Sequence, residues 1–148
     1  MTDTQTGAID PTRPQFDAFK ALPRDQPIHM LNLVRLKPLA DYPPGHPDHG
    51  KGLTGLDAYR AYGRTTRDLF NRLGGRQIWA GRPDVVVTGP RDERWDIAFI
   101  AEYPSAAAFL AMVTDPQYRI DVQHRQAGVA DSRLIRMAPL EPGEGFGE

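Results

Sequence analysis

Asn32 is a carboxamide set in the middle of an otherwise apolar run, Ile28-His29-Met30-Leu31-Asn32-Leu33-Val34-Arg35-Leu36. Burying an amide with its polar atoms unpaired costs about 1–3 kcal/mol, so a strand keeps one only where a neighbour, a water or a ligand hydrogen-bonds it. Two indoles, Trp79 and Trp95, fall in later strand-like segments, and two phenols, Tyr59 and Tyr62, lie on the apolar stripe of a helical segment that precedes both. Rings of this kind give a small-molecule pocket its area, and an amide and phenols fix the orientation of what it holds. The residues expected to bind a substrate are therefore Asn32, Tyr59, Tyr62, Trp79, Trp95 and Arg76, with Asp96 beside them as a candidate general base. The competing reading places the tyrosines in the core and pairs Asn32 with a backbone group or a water. It is the stronger reading for the tyrosines; for Asn32 both stay open.

His124 is the other candidate base, because an unperturbed imidazole titrates near neutrality. Asp121 sits three residues earlier on the same helical segment, where it can orient the ring, and Arg125 follows it. An exposed helical charge network explains this trio more simply. His46-Pro47-Asp48-His49 offers two imidazoles and a carboxylate, the donor types of zinc, iron or nickel sites. Residues so close together, with a proline between them, rarely aim at one centre, so the segment reads as a surface loop, or as a lid, and no metal or cofactor is expected. His29 points to the sheet face opposite Asn32 if its strand is regular, so the two do not cooperate within one subunit.

Other chemistries are excluded. Gly74-Gly75-Arg76 ends a helix and precedes a strand, the reverse of the order a phosphate-binding loop requires. No serine sits between glycines at nucleophile-elbow spacing. Cysteine is absent, which removes disulfides, thiolate nucleophiles and zinc–cysteine sites. A net charge of -1 supplies no electrostatic reason to bind nucleic acid or an anionic membrane. The first ten residues have neither the basic start nor the apolar stretch of a signal peptide, and no apolar run is long enough to span a bilayer, so a cytoplasmic location is the expectation.

The 148 residues suffice for one domain with a real core. Residues 1–27 read as an N-terminal extension, its first ten residues disordered, with a short helix capped by Thr12 that carries Phe16, Phe19 and Leu22 on one face. The domain proper spans residues 28–138, and residues 139–148 form a disordered tail rich in Pro, Gly and Glu. After the Asn32 strand comes a long loop, 37–53, then a helix capped by Thr54 with Asp57 as its acidic partner. Leu56, Tyr59, Tyr62, Thr66, Leu69, Phe70 and Leu73 form its apolar stripe, and Gly74-Gly75 stops it. A strand from Arg76 to Thr88, bent at Gly81-Arg82-Pro83, pairs as a hairpin with a strand from Arg94 to Tyr103. Ser105 caps a short helix, Asp115-Pro116 opens a longer one, and a last strand runs from Ser132 to Met137.

This order is βαββαβ, an α+β chain with the ferredoxin-like pattern and a four-stranded antiparallel sheet. Both sheet faces carry apolar residues: Met30 and Val34 on one, Leu31 and Leu33 on the other. The helices can cover only one, so the pattern predicts a homodimer packed sheet against sheet.

The ordered set Met30-Leu31-Asn32-Leu33, Ala58-Tyr59-Arg60-Ala61-Tyr62, Gly74-Gly75, Trp95-Asp96, Glu102-Tyr103-Pro104-Ser105, Phe109-Leu110-Ala111-Met112 and Asp115-Pro116-Gln117-Tyr118 resembles the family of domain of unknown function 1330, within the dimeric α/β-barrel superfamily. The likeness covers roughly Ile28 to Met137 and implies the ferredoxin-like fold and the dimer. Superfamily relatives include cofactor-independent monooxygenases, lactone isomerases, haem-dependent enzymes and ligand-sensing domains, so the fold names no single reaction. In its cofactor-independent oxygenases, amide and indole donors hold a phenolic or enolic substrate. The expectation is a small-molecule-binding protein that acts, if it acts, on such a substrate without a cofactor. The alternative is a non-catalytic ligand-binding or stress-response dimer module.

Overall fold

A computed structural model describes residues 7–143. Eight elements follow in chain order: α1 (Arg13–Ala21), β1 (Ile28–Leu36), α2 (Gly55–Arg72), β2 (Arg76–Gly81), β3 (Ile97–Tyr103), α3 (Ala106–Val113), α4 (Pro116–Gly128) and β4 (Val129–Met137). The strands form one antiparallel sheet in the order β2-β3-β1-β4, the ferredoxin-like arrangement. Local chemistry starts each helix. Thr12 and Thr54 close capping boxes with Gln15 and Asp57, the Ser105 hydroxyl accepts from Ala108 N–H, and Asp115 accepts from Gln117 N–H ahead of Pro116.

β1 is central, and its register sorts every side chain. Ile28, Met30, Asn32 and Val34 pair with Tyr103, Ala101, Phe99 and Ile97 of β3. Directly paired residues share a face, so these eight look toward the helices. There Ile28, Met30, Ala101 and Tyr103 build the main core with Ala106, Phe109 and Met112. Leu31, Leu33 and Ile100 look the other way, where no element among the described residues covers them, beside Ile135 and Trp79, which are 46% and 51% exposed.

β2 ends at Gly81 and β3 begins at Ile97, so the connection between them is longer than the hairpin read from sequence, which carried one strand to Thr88 and began the other at Arg94. Pro83 has no N–H to give to a ladder, and the chain leaves the sheet there. The register shift lies instead between Gln77 and Trp79: Gln77 pairs with Ala101, yet Trp79 pairs with Ile100. That one-residue bulge turns Trp79 to the open face.

Residues 7–10, read as disordered from sequence, lie against β4. Ala8 N–H donates to Asp131 (2.9 Å), Ser132 Oγ donates to the Ala8 carbonyl (2.7 Å), and Arg125 donates to the Ile9 carbonyl. The first six and last five residues of the chain, part of the terminal segments read as disordered, lie outside the described residues. Burial raises the Asp131 carboxyl, but hydrogen bonds from Ala8, Arg133 and Ser132 outweigh it and hold the group below the usual carboxylate range.

α2 and α4 meet where the chain is smallest. A Cβ on Gly55 would lie 2.1 Å from the Lys37 carbonyl oxygen and 2.8 Å from that of Gly128, which itself accepts from Lys37 N–H. Gly63, in the middle of α2, has nothing within 4 Å of its Cβ position. Gly55→Ala should therefore lower stability by about 1–3 kcal/mol through overpacking. Gly63→Ala should raise it by about 0.5–1 kcal/mol through helix propensity. Urea unfolding of both variants checks the pair, and equal effects would contradict this packing.

Candidate functional site

A cavity of about 1600 Å³ lies between the helix-facing side of the sheet and helices α1, α2 and α4. Its floor is Met30, Asn32, Phe99 and Ala101; its walls are tyrosines and phenylalanines. Asn32 Nδ2 donates to the Met30 carbonyl at 3.0 Å, while its Oδ1 has no hydrogen-bond partner among the described residues. The Tyr59 hydroxyl likewise has none, and its ring lies 5.6 Å from that of Tyr62. Tyr62 and Tyr118 satisfy each other across the α2–α4 seam (O···O 2.9 Å), and Tyr103 donates to Met112 Sδ (3.6 Å). The cavity therefore holds one amide acceptor and one phenol that proteins ordinarily pair.

Charge around the cavity is one-sided. Arg60, Arg64, Arg67 and Arg119 stand on the exposed sides of α2 and α4, while Arg125 reaches Ser132 Oγ (3.1 Å) and Arg136 reaches the Pro23 carbonyl (2.6 Å). Among the described residues Asp10 and Asp17 are its acidic members, both exposed; Asp17 faces Lys20 at 3.5 Å, and Gln126 donates to Asp10. No histidine lines it.

The residues singled out in the sequence divide. Asn32, Tyr59 and Tyr62 come together in the cavity. Trp79, turned by the bulge, and Arg76, bound to Glu102 at 2.7 Å, lie on the open face, where His29 also reaches Glu102 (3.0 Å). Trp95 is buried at the foot of β3, under the Arg133 guanidinium, and does not line the cavity. Asp96 binds the end of β1: its N–H donates to the Val34 carbonyl and its Oδ2 accepts from Leu36 N–H, both at 2.8 Å. His124 faces away from the cavity toward loop 37–53, with Nδ1 2.7 Å from the Tyr42 hydroxyl. Asp121 accepts from Gln117 Nε2 (3.2 Å) rather than bonding His124. Burial and then the neighbouring His46 push the His124 imidazole below its ordinary range, keeping it neutral.

Sequence reasoning missed two contributors. Tyr118, Val122 and Arg125 line the cavity from α4, and their spacing of four and three is the signal that could have found them. The stretch from Ala8 to Leu22 also lines it, whereas loop 37–53 does not, so the extension rather than the loop covers the cavity.

Burial raises the hydroxyls of Tyr59, Tyr62, Tyr103 and Tyr118 above the ordinary phenol range, with Arg125 opposing it at Tyr59, Tyr62 and Tyr118; burial and then Asp48 raise Tyr42. All five tyrosines are thus neutral phenols in the folded chain. A raised folded-state pKa contributes stability fully present below about pH 10, where unfolded phenols begin to ionise, and lost as pH climbs toward the folded values. Phenolate absorbance should stay flat past pH 10, within about a unit, and then rise together with loss of helical circular dichroism. Tyrosines ionising one by one near their ordinary value in folded protein would contradict the burial described.

Two crystal structures match nearly the whole chain. One, of the methylated RPA0582 protein, is 55% identical, covers 94% of this chain and 99% of its own, and superposes with a TM-score of 0.86. The other, the RPA0582 protein of unknown function from Rhodopseudomonas palustris, is also 55% identical, with 93% and 100% covered and a TM-score of 0.84. A dimeric protein of unknown function and ferredoxin-like fold from Bacteroides fragilis is 12% identical over 76% of this chain and 95% of its own, with a TM-score of 0.44. No curated protein matches. The model of the family described as Domain of unknown function (DUF1330) matches residues 53–138, from the last loop residue before α2 to the residue after β4, and the chain belongs to that family.

Proposed function

We propose that the cavity binds a small organic molecule with an apolar or aromatic body and a hydroxyl-bearing, anionic end. The observation that carries this is the unpartnered Asn32 carbonyl and Tyr59 hydroxyl in a cavity walled by aromatic rings. An orphaned acceptor and donor cost free energy when buried dry, and a ligand hydroxyl, which donates to Asn32 Oδ1 and accepts from Tyr59, satisfies both. The arginines around the cavity favour a negative charge over a positive one. Binding is the reading supported best, because no histidine lines the cavity and its two carboxylates are exposed, so proton abstraction lacks a positioned base. One observation favours a second reading, catalysis without a cofactor. The neutral Tyr59 phenol, a free donor in the same cavity, suits an oxyanion such as an enolate or phenolate that enters already ionised.

A panel of small aromatic hydroxy acids and phenols, screened by thermal shift and measured by calorimetry, tests the proposal. Asn32→Ala and Tyr59→Phe should each weaken binding about tenfold, the worth of one lost hydrogen bond, while the protein stays folded. Unchanged affinity in both variants would refute the assignment.

The open sheet face supports the second half of the proposal, a homodimer joined sheet against sheet. Leu31, Leu33, Ile100 and Ile135 present apolar side chains on the three strands β3, β1 and β4, with Arg133 beside Leu33, and Trp79 extends the face onto β2. The occupant with a matching apolar sheet is a second copy of the chain. Ile135→Asp should yield a monomer by light scattering, whereas Asn32→Ala, on the other face, should stay dimeric. Wild-type protein that is monomeric at micromolar concentration would overturn this.

A further inference from the structure

Loop 37–53 is built as a platform. Ala40 N–H donates to the Leu53 carbonyl (2.8 Å), Asp41 N–H to the Ala127 carbonyl (2.9 Å), and Leu39 bridges to Thr54, so both its ends are pinned beside α2 and α4. Tyr42, 4% exposed, anchors it among Ala58, Ala127, Ala40 and Leu53. Beyond Tyr42 the chain turns tightly, with His46 N–H on the Pro43 carbonyl (2.9 Å) and His49 N–H on the His46 carbonyl (3.0 Å), while the His49 imidazole holds the Tyr42 carbonyl (2.8 Å). Hydrogen bonds within a loop of this length fix its shape.

That shape carries His46 and Asp48 onto His124 of α4. The His46 ring stacks on Tyr42 (centroids 4.4 Å) and meets the His124 ring edge-on (5.4 Å). One nitrogen from each imidazole and one Asp48 oxygen lie within 4.8 Å of one another. Asp48 Oδ1 is taken by Lys51 (3.1 Å), and Oδ2 lies 4.0 Å from His124 Nδ1.

We infer that His46, Asp48 and His124 form a binding site for a divalent first-row transition metal ion, with zinc as the probe. The donors are two imidazoles and a carboxylate from segments far apart in sequence, the ligand types such ions take in a chain without cysteine. The Tyr42 hydroxyl, 2.7 Å from His124 Nδ1, steadies the ring beside the loop, the kind of outer support that metal-bound histidines use. Ligand atoms around a tetrahedral zinc stand about 3.3 Å apart, so the three side chains must close by about 1–1.5 Å, a shift in side-chain torsions. Coordination through Nδ1 of His46 exchanges the bond it now accepts from Asp48 N–H (3.0 Å) for the metal. Three protein ligands leave at least one position for water or a small anion. The site stands apart from the cavity, since none of its three residues lines it.

Full-length protein, stripped with a chelator and freed of any affinity tag, should bind one zinc per chain in calorimetry. His46→Ala, Asp48→Asn and His124→Gln should each weaken that binding at least tenfold. His29→Ala, which removes the other imidazole paired with a carboxylate, should leave it unchanged. His46→Ala and Asp48→Asn alter only the loop, so they remain decisive if His124→Gln disturbs α4. No zinc bound by wild-type protein, or the same affinity in His46→Ala and Asp48→Asn, would overturn the site.

Discussion

The structure depends on the register of β1 between β3 and β4. Side chains alternate along a strand, so one register sends Met30, Asn32 and Val34 to the helices and Leu31 and Leu33 to the open face. A slip of one residue would bury Leu31 and Leu33 beneath α2 and carry the Asn32 amide out of the cavity. The register is held by pairing along nearly the whole strand on both sides and by Asp96, which ties the last turn of the ladder to Leu36. Asn32 is thus kept between Phe99 and Leu134, on the floor of the cavity.

Small residues then set how closely the helices close over that face. Gly55 and Gly128 let α2 and α4 approach backbone to backbone, and the tyrosines beyond them, Tyr59, Tyr62 and Tyr118, fan out above the sheet. The large rings stand off from β1 and leave a cavity instead of a filled core. The same α4 that lends Tyr118 and Arg125 to the cavity turns His124 to its other side, where loop 37–53 meets it. One helix therefore serves two places with different chemistry: an aromatic cavity with a cationic surround, and a polar cluster of imidazoles and a carboxylate.

What the sequence made legible was local. Thr54 with Asp57, and Asp115 before Pro116, announce helix starts because a cap acts within three residues. Alternation in β1 and β3 announces which residues face a core, and the apolar character of both faces announces a sheet left partly bare. The grouping of Asn32 with Tyr59 and Tyr62 follows from the same periodicities. What stayed hidden depends on contacts distant in sequence. No local pattern marks Ile78 as the extra residue of a bulge, and that bulge alone decides which face Trp79 takes. His46 and His124 are separated by most of the domain, so their meeting is a property of how the loop docks. The packing of residues 7–10 on β4 rests on Asp131 and Ser132, whose partners cannot be guessed from either segment alone.

The most direct test of the account concerns the Asn32 side chain itself. Its amide protons can be followed by nuclear magnetic resonance in nitrogen-15-labelled protein titrated with a small aromatic hydroxy acid. The account predicts saturable shifts at the Asn32 side chain and at the backbone amides of Phe99 and Ala101 on the cavity floor, and the Phe99 and Ala101 shifts should need about tenfold more ligand in Asn32→Ala. Shifts confined to the exposed arginines, with Asn32 unmoved, would place the ligand on the outer surface and contradict the cavity as the binding site.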